Sequence, residues 1–291
     1  MGDLAGRLLV AAVGIPAVLG LIHVGGWPLG LLVAGAAGVA SWEFYGLAGV
    51  QGIHPFRVLG TVASVAVVLI ATAHPAPERA ALPLAGVVLA LALLSLGSSV
   101  VLRWPGGAPL ADVGATLLGV LYVGCTLSFI PFLRALPEIA AAGAELASFS
   151  ASAFVILPLA TTWAGDSAAY FAGSLWGRHR LAPSVSPKKS VEGAIAGLAA
   201  SAGAAALVSW WALAALPGLS VAPLTAAWMG AVLGAAAQVG DLAESVLKRE
   251  AGVKDSGRLL LGHGGFLDRL DALFFALPVA WGLLLGMGGT T

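Results

Sequence analysis

Asp241, Glu244, Ser245 and Lys248 stand at i, i+3, i+4 and i+7 in an apolar stretch, a spacing that puts all four on one face of a helix. Asp268 and Asp271 stand at i, i+3 where the next apolar stretch begins. Between them come Lys254-Asp255-Ser256-Gly257 and Gly262-His263-Gly264-Gly265, a basic, glycine-rich turn feeding a helix start. Glycines let a backbone approach a phosphate, and a helix N-terminus favours an anion. Magnesium binds through one or two carboxylates and completes its shell with water and substrate oxygens. The pattern predicts a magnesium–phosphate site with Asp241, Glu244, Asp268 and Asp271 as the carboxylates, Asp241 and Asp268 being brought together by the loop between them.

A second basic group, Ser186, Lys188, Lys189 and Ser190, carries two charges and two hydroxyls just ahead of another helix start. Phosphate binding is the chemical reading, and anchoring of the chain by positive charge is the bland one. Asp166, three residues after Trp163, lies inside an apolar stretch, as does Glu43. A charge in hydrocarbon costs at least ~2.5–3.5 kcal/mol at a helix centre, so such acids mark function by default. Glu43 has no tie in the sequence to the glycine-rich turn, and pairing or snorkelling near a helix end explains it. Glu250 and Asp255 read as solvated loop residues, and His263 as either a ligand or a turn residue. His23, His54, His74 and His179 read as interface or loop residues, and Trp27, Trp104 and Trp228 as interfacial anchors.

The elements that must position these groups are apolar helices. Of 291 residues 59% are apolar and only 10% charged, against about 25% charged in a soluble domain. Mean hydropathy is +0.97. Forty glycines suit helices that pack closely through small residues. Net charge is zero, which gives no argument for nucleic acid, and one cysteine, Cys125, excludes an internal disulfide or a cysteine zinc cluster. A span needs roughly 20 mostly apolar residues. Nine stretches qualify, near 8–24, 27–50, 58–73, 81–102, 113–136, 151–172, 191–216, 221–247 and 269–287. The expected fold class is all-α, a polytopic helical membrane bundle of about nine spans.

With the N-terminus inside, the segments on that side hold twelve of the fourteen Lys and Arg residues, and the other side holds only Arg79 and Arg134. That asymmetry is the positive-inside pattern. It places Glu43, Asp166, Asp241 and Glu244 in the inner leaflet, with Asp268 and Asp271 opening the last span from the same side, and it puts the C-terminus outside. Residues 1–150 are expected to form an N-terminal bundle poor in polar groups. Residues 151–291 are expected to form the catalytic region, with cytoplasmic loops 173–190 and 248–268.

Ser245, Lys248, Arg249, Lys254, Asp255, His263, Gly264, Gly265, Asp268, Arg269 and Asp271 together resemble the signature of the phosphatidate cytidylyltransferases, also called CDP-diacylglycerol synthases. Gly262 stands directly before His263, a small departure in spacing. Trp163-Ala-Gly-Asp-Ser-Ala-Ala-Tyr170, Pro183-Ser-Val-Ser-Pro-Lys-Lys-Ser-Val-Glu-Gly193 and Trp42-Glu-Phe-Tyr45 are similar to the family's other polar blocks.

The resemblance implies the reaction of CTP with phosphatidate to give CDP-diacylglycerol and pyrophosphate at a bacterial inner membrane, with one or two magnesium ions as cofactor. The attacking lipid phosphate is already an anion, so no protein nucleophile is needed, and catalysis is positioning plus charge neutralisation. Asp241, Asp268, Lys248 and Lys254 are then the expected catalytic groups. Asp166, Ser186, Lys188, Lys189, Ser190, Ser245, Arg249, His263, Gly264, Gly265 and Arg269 are expected to bind substrate. The small-residue spans suit a homodimer. A CTP-dependent lipid-alcohol kinase is the nearest rival, and it would release CDP. A CDP-alcohol phosphotransferase needs an aspartate-rich run that this sequence lacks. An ion-coupled transporter predicts acids at the bilayer midplane and an internal repeat, and neither is seen.

Overall fold

The computed structural model describes residues 2–103, 105, 107–140, 148–213, 220–257 and 264–288. Among these the order is α1 (Gly2–Val24), α2 (Gly26–Val50), α3 (Arg57–Ala73), α4 (Pro77–Leu102), α5 (Pro109–Gly119), α6 (Phe129–Ala140), α7 (Ser148–Trp176), β1 (Arg180–Ala182), β2 (Ser186–Ser190), α8 (Val191–Val208), α9 (Pro223–Glu250) and α10 (Asp271–Gly288). π-helical turns at Val120–Cys125 and Ser209–Leu213 extend α5 and α8.

Each of the nine apolar stretches falls on a helix, the fifth on α5, its π turn and α6. Among the described residues four helices are long and apolar enough to cross a membrane: Gly26–Val50, Pro77–Leu102, Pro109–Pro137 and Val191–Leu213. Gly14–Val24, Arg57–Ala73 and Asp271–Met287 are shorter apolar helices. Length and apolarity thus support four spans, fewer than the nine expected. On α4 only 17% of the most apolar window is buried, and Leu82, Leu89, Leu93 and Val101 are exposed. An apolar surface of that extent is stable only against lipid or protein, so the chain is a helical membrane protein.

The helical bundle carries one short strand pair. The loop after α7 folds as an antiparallel hairpin, β1 with β2, in register Arg180↔Ser190 and Ala182↔Ser186. Pro183 and Pro187, four residues apart, disfavour a helix there, and Val185 N–H closes the turn on the Ala182 carbonyl at 3.2 Å.

The chain forms two compact units, both discontinuous in sequence: Met1–Phe132 with Leu247–Leu270, and Leu133–Val246 with Asp271–Thr291. In the first unit α2 packs on α3. Tyr45 is buried there, and its hydroxyl donates to the Thr116 carbonyl at 2.9 Å. Ala63, Val67, Leu91 and Val120 form a small core. In the second unit α7 packs along α8 through the small residues Gly165, Ala169 and Gly173 against Gly193, Gly197 and Ser201. Backbones approach closely at such stripes. Ser201 Oγ donates to the Thr161 carbonyl at 2.9 Å, and the Gln238 amide donates to the Ala194 carbonyl at 3.0 Å, tying α9 to α8. Ala237 of α9 packs on Ala272 and Ala276 of α10.

Candidate active site

The polar groups form one cluster in each unit. In the first unit the chain leaves α9 through Gly252, which takes φ 67. Val253 N–H then reaches back to the Lys248 carbonyl at 2.9 Å and Gly252 N–H to that of Arg249 at 3.0 Å. This is a Schellman ending, and it turns the chain sharply after Lys248. Lys248 Nζ sits 2.6 Å from Asp268 Oδ1. Asp268 Oδ2 accepts from Ser256 N–H at 2.9 Å, from Ser256 Oγ at 3.0 Å and from Gly265 N–H at 2.8 Å. Burial pushes the Asp268 carboxyl up, but the hydrogen bonds from Lys248, Ser256 and Gly265 and the Lys248 charge together outweigh it and hold the group below its ordinary value.

Glu43 of α2 joins the same cluster. It is buried, and its Oε2 accepts from Leu267 N–H at 2.8 Å and meets Ser256 Oγ at 3.2 Å. A Cβ on Gly257 would come within 2.2 Å of Glu43 Oε1, and one on Gly265 within 2.6 Å of Oε2. These two glycines therefore make room for the protein's own carboxylate. The expectation that Glu43 has no link to the glycine-rich turn is overturned. The two partners lie 213 positions apart in sequence, and no local spacing announces the contact. The remaining signal was its cost, an acid inside an apolar span.

In the second unit Asp166 of α7 is within electrostatic reach of Asp241, Asp271 and Lys189. Lys189 Nζ lies 2.6 Å from Asp241 Oδ2, and Ser245 Oγ approaches Asp241 Oδ1 at 3.4 Å. Gly240 sets the spacing between α9 and α10, since a Cβ there would come within 2.6 Å of the Asp271 carbonyl. Ser190 is buried and caps α8, its Oγ accepting from Gly193 N–H at 3.1 Å. Glu192 accepts from Arg178 N–H at 3.1 Å and pairs with His179 Nδ1 at 2.6 Å, which fastens the base of the hairpin to α8.

The other expected residues are placed as follows. Asp166, Lys188, Arg249, Lys254 and Arg269 are exposed, Ser186 and Gly264 are half-buried, and Glu244, Ser245 and Gly265 are buried. Gly264 takes φ 81. His263, with Arg258 and Gly262, lies outside the described residues, as does Trp104. Asp241 belongs to the second unit and Asp268 to the first. Among the described residues no three His, Cys, Asp or Glu side chains close around a common metal position.

The cytidylyltransferase family pattern matches residues 5–286. A phosphatidate cytidylyltransferase of Pseudomonas aeruginosa is 35% identical over 290 residues, spanning 97% of each chain. One from Synechocystis sp. is 32% identical over 293 residues, spanning 94% of each chain. A Brucella suis phosphatidate cytidylyltransferase is 39% identical over 184 residues, 58% of this chain and 66% of that one. With a match that runs through both units and every polar block, the chain belongs to the cytidylyltransferase family.

Proposed function

We propose that the protein is a phosphatidate cytidylyltransferase, forming CDP-diacylglycerol and pyrophosphate from CTP and phosphatidate. The observation that carries this reading is the near full-length likeness to relatives of that name. A phosphate oxygen of the lipid attacks the α-phosphorus of CTP, the new P–O bond forms, and the bond to the leaving pyrophosphate breaks. The protein's work is to neutralise and align anions.

The donor set of the second unit fits magnesium. Asp166 lies within electrostatic reach of the Asp241 and Asp271 carboxylates and of the Lys189 ammonium, which pairs with Asp241. Two carboxylates suffice when substrate oxygens and water complete the shell. Asp241 and Asp271 would hold the ion, with Asp166 and Glu244 supporting the charge. A magnesium ion there would supply charge neutralisation on the triphosphate. Asp268 accepts from protein donors at both oxygens, and in this reading it holds Lys248 and the loop. Lys188 in the second unit and Lys254, Arg249 and Arg269 in the first are exposed cations suited to phosphates, and Ser186 lies two residues before Lys188 on β2.

The charge asymmetry of twelve against two supports nine spans in a bacterial inner membrane, the N-terminus and both polar loops in the cytoplasm and the C-terminus outside. CTP is found on that cytoplasmic side. The decisive experiment incubates purified protein with labelled CTP, magnesium and phosphatidate. CDP-diacylglycerol and pyrophosphate are expected, each dependent on the metal. Release of CDP with a phosphorylated lipid would overturn the reading in favour of a kinase.

A further inference from the structure

We propose that Glu43 is a positioning residue for the transfer reaction: reaching in from α2, it clamps both ends of the 256–267 segment and thereby sets the Lys248–Asp268 pair. The kinetic half of the inference rests on the reaction proposed above; the structural half does not.

Four positions converge on this one carboxylate. Leu267 N–H donates to Oε2 at 2.8 Å, Ser256 Oγ stands 3.2 Å from the same oxygen, and Gly257 and Gly265 leave no space for a side chain against either oxygen. Ser256 and Gly257 enter the segment, and Gly265 and Leu267 leave it. Ser256 and Gly265 also hold Asp268 Oδ2, whose other oxygen holds Lys248. A displacement of Glu43 is therefore passed through two residues to Asp268 and through Asp268 to Lys248. The Ser256 hydroxyl has one hydrogen and two carboxylate neighbours, so it donates to one of them at a time.

Glu43 is poorly chosen as a brace for stability alone. It is 8% exposed, and among the described residues Oε1 has no hydrogen-bond partner. A buried oxygen left unsatisfied disfavours the fold. Local rules are broken in this way chiefly at sites that serve function. The arrangement of Trp42 and Tyr45 around it is conventional by comparison: Arg57 stacks over Trp42 at 3.7 Å from the ring centroid, and Tyr45 bonds Thr116.

The test uses the full-length protein in lipid–detergent micelles with Glu43→Ala, Glu43→Gln and Gly257→Ala. Turnover and hydrogen exchange of the amides at 253–257 and 264–268 are measured. Glu43→Ala should lower kcat by roughly 10-fold or more, as small misplacements at a reacting centre do. It should leave KM for CTP within about threefold, and the loop amides should lose protection. Glu43→Gln keeps an acceptor for Leu267 N–H, so it should restore loop protection and most of kcat. Gly257→Ala, which drives a methyl into Oε1, should reproduce the Glu43→Ala defect. Full kcat with protected loop amides in Glu43→Ala would overturn the clamp. A loss that glutamine does not rescue would overturn it too, because the charge itself would then be the requirement. If Glu43→Ala does not fold, normal kcat in Gly257→Ala overturns the proposal and a kcat defect there with a near-normal Glu43→Gln upholds it. Wild-type protein that makes no CDP-diacylglycerol would reject the reaction, while the exchange measurements would still decide the clamp.

Discussion

Lys189 at the end of β2 and Asp241 in α9 meet at 2.6 Å, with Asp241 one-third exposed. Lys188, the neighbour of Lys189 on the same strand, is exposed. The two lysines should therefore fail differently. Lys188→Ala should raise KM for CTP with kcat nearly unchanged. Lys189→Ala leaves Asp241 among Asp166 and Asp271 without its ammonium, so it should lower kcat and shift the magnesium dependence. Initial rates over a grid of CTP and magnesium concentrations separate the two patterns.

Asp241→Asn and Asp268→Asn keep side-chain shape and remove charge. Each should cost roughly 100-fold or more in turnover, the scale typical of losing an electrostatic group at a reacting centre. The routes differ. Asp241→Asn should weaken the response to magnesium, and Asp268→Asn should release Lys248 with the magnesium response intact. Titrating magnesium against activity in both variants checks this, and near-normal activity in either would assign its role elsewhere.

Gly240→Ala places a methyl against the Asp271 carbonyl at the α9–α10 contact. Overpacking of that kind costs about 1–3 kcal/mol, and here it also moves Asp241 and Asp271 apart. The variant should unfold at lower temperature in detergent and lose turnover by more than its folded fraction accounts for, as measured by thermal unfolding alongside rates.

Acid should loosen the first unit's loop in a defined direction. The Asp268 carboxyl is held below its ordinary value in the folded protein, so its contribution is fully present above the unfolded carboxylate value near ~3.9 and is lost as pH falls through the lower folded value. Between pH 5 and 8 this group should leave stability unchanged. Below about pH 4 wild-type protein should lose stability more steeply than Asp268→Asn, a difference that unfolding midpoints across pH will resolve.

Single cysteines at Arg178 and Lys254, introduced after Cys125→Ser, should react with a membrane-impermeant maleimide only when the cytoplasmic face is opened. Labelling of either position in intact cells would overturn the proposed topology.

Much of this was legible in the sequence because it is local. The apolar stretches fall on helices, and Asp241, Ser245 and Lys248 share one face of α9. The glycine-rich turn does lie beside carboxylates. What the sequence concealed depends on distance along the chain. In the sequence its glycines suit a substrate phosphate, and in the fold Gly257 and Gly265 also make room for Glu43, which spacing cannot reveal. The partners of Asp268, which are Ser256, Gly265 and Lys248, are likewise invisible until the loop is folded around it. The hairpin at 180–190 is hidden in the sequence because it contains prolines and its strands are short, largely exposed and do not alternate in hydropathy.

The separation of Glu43 from Ser256 also bears on how the protein is made. Translation proceeds at about 5–20 residues per second. The second helix therefore enters the bilayer roughly 10 to 40 s before the ribosome supplies the segment that receives its carboxylate. For that interval the nascent chain carries an acid in lipid with its eventual partners still unsynthesised. Premature termination before residue 256 would leave it so permanently, giving membrane quality-control proteases a clear mark of an unfinished chain.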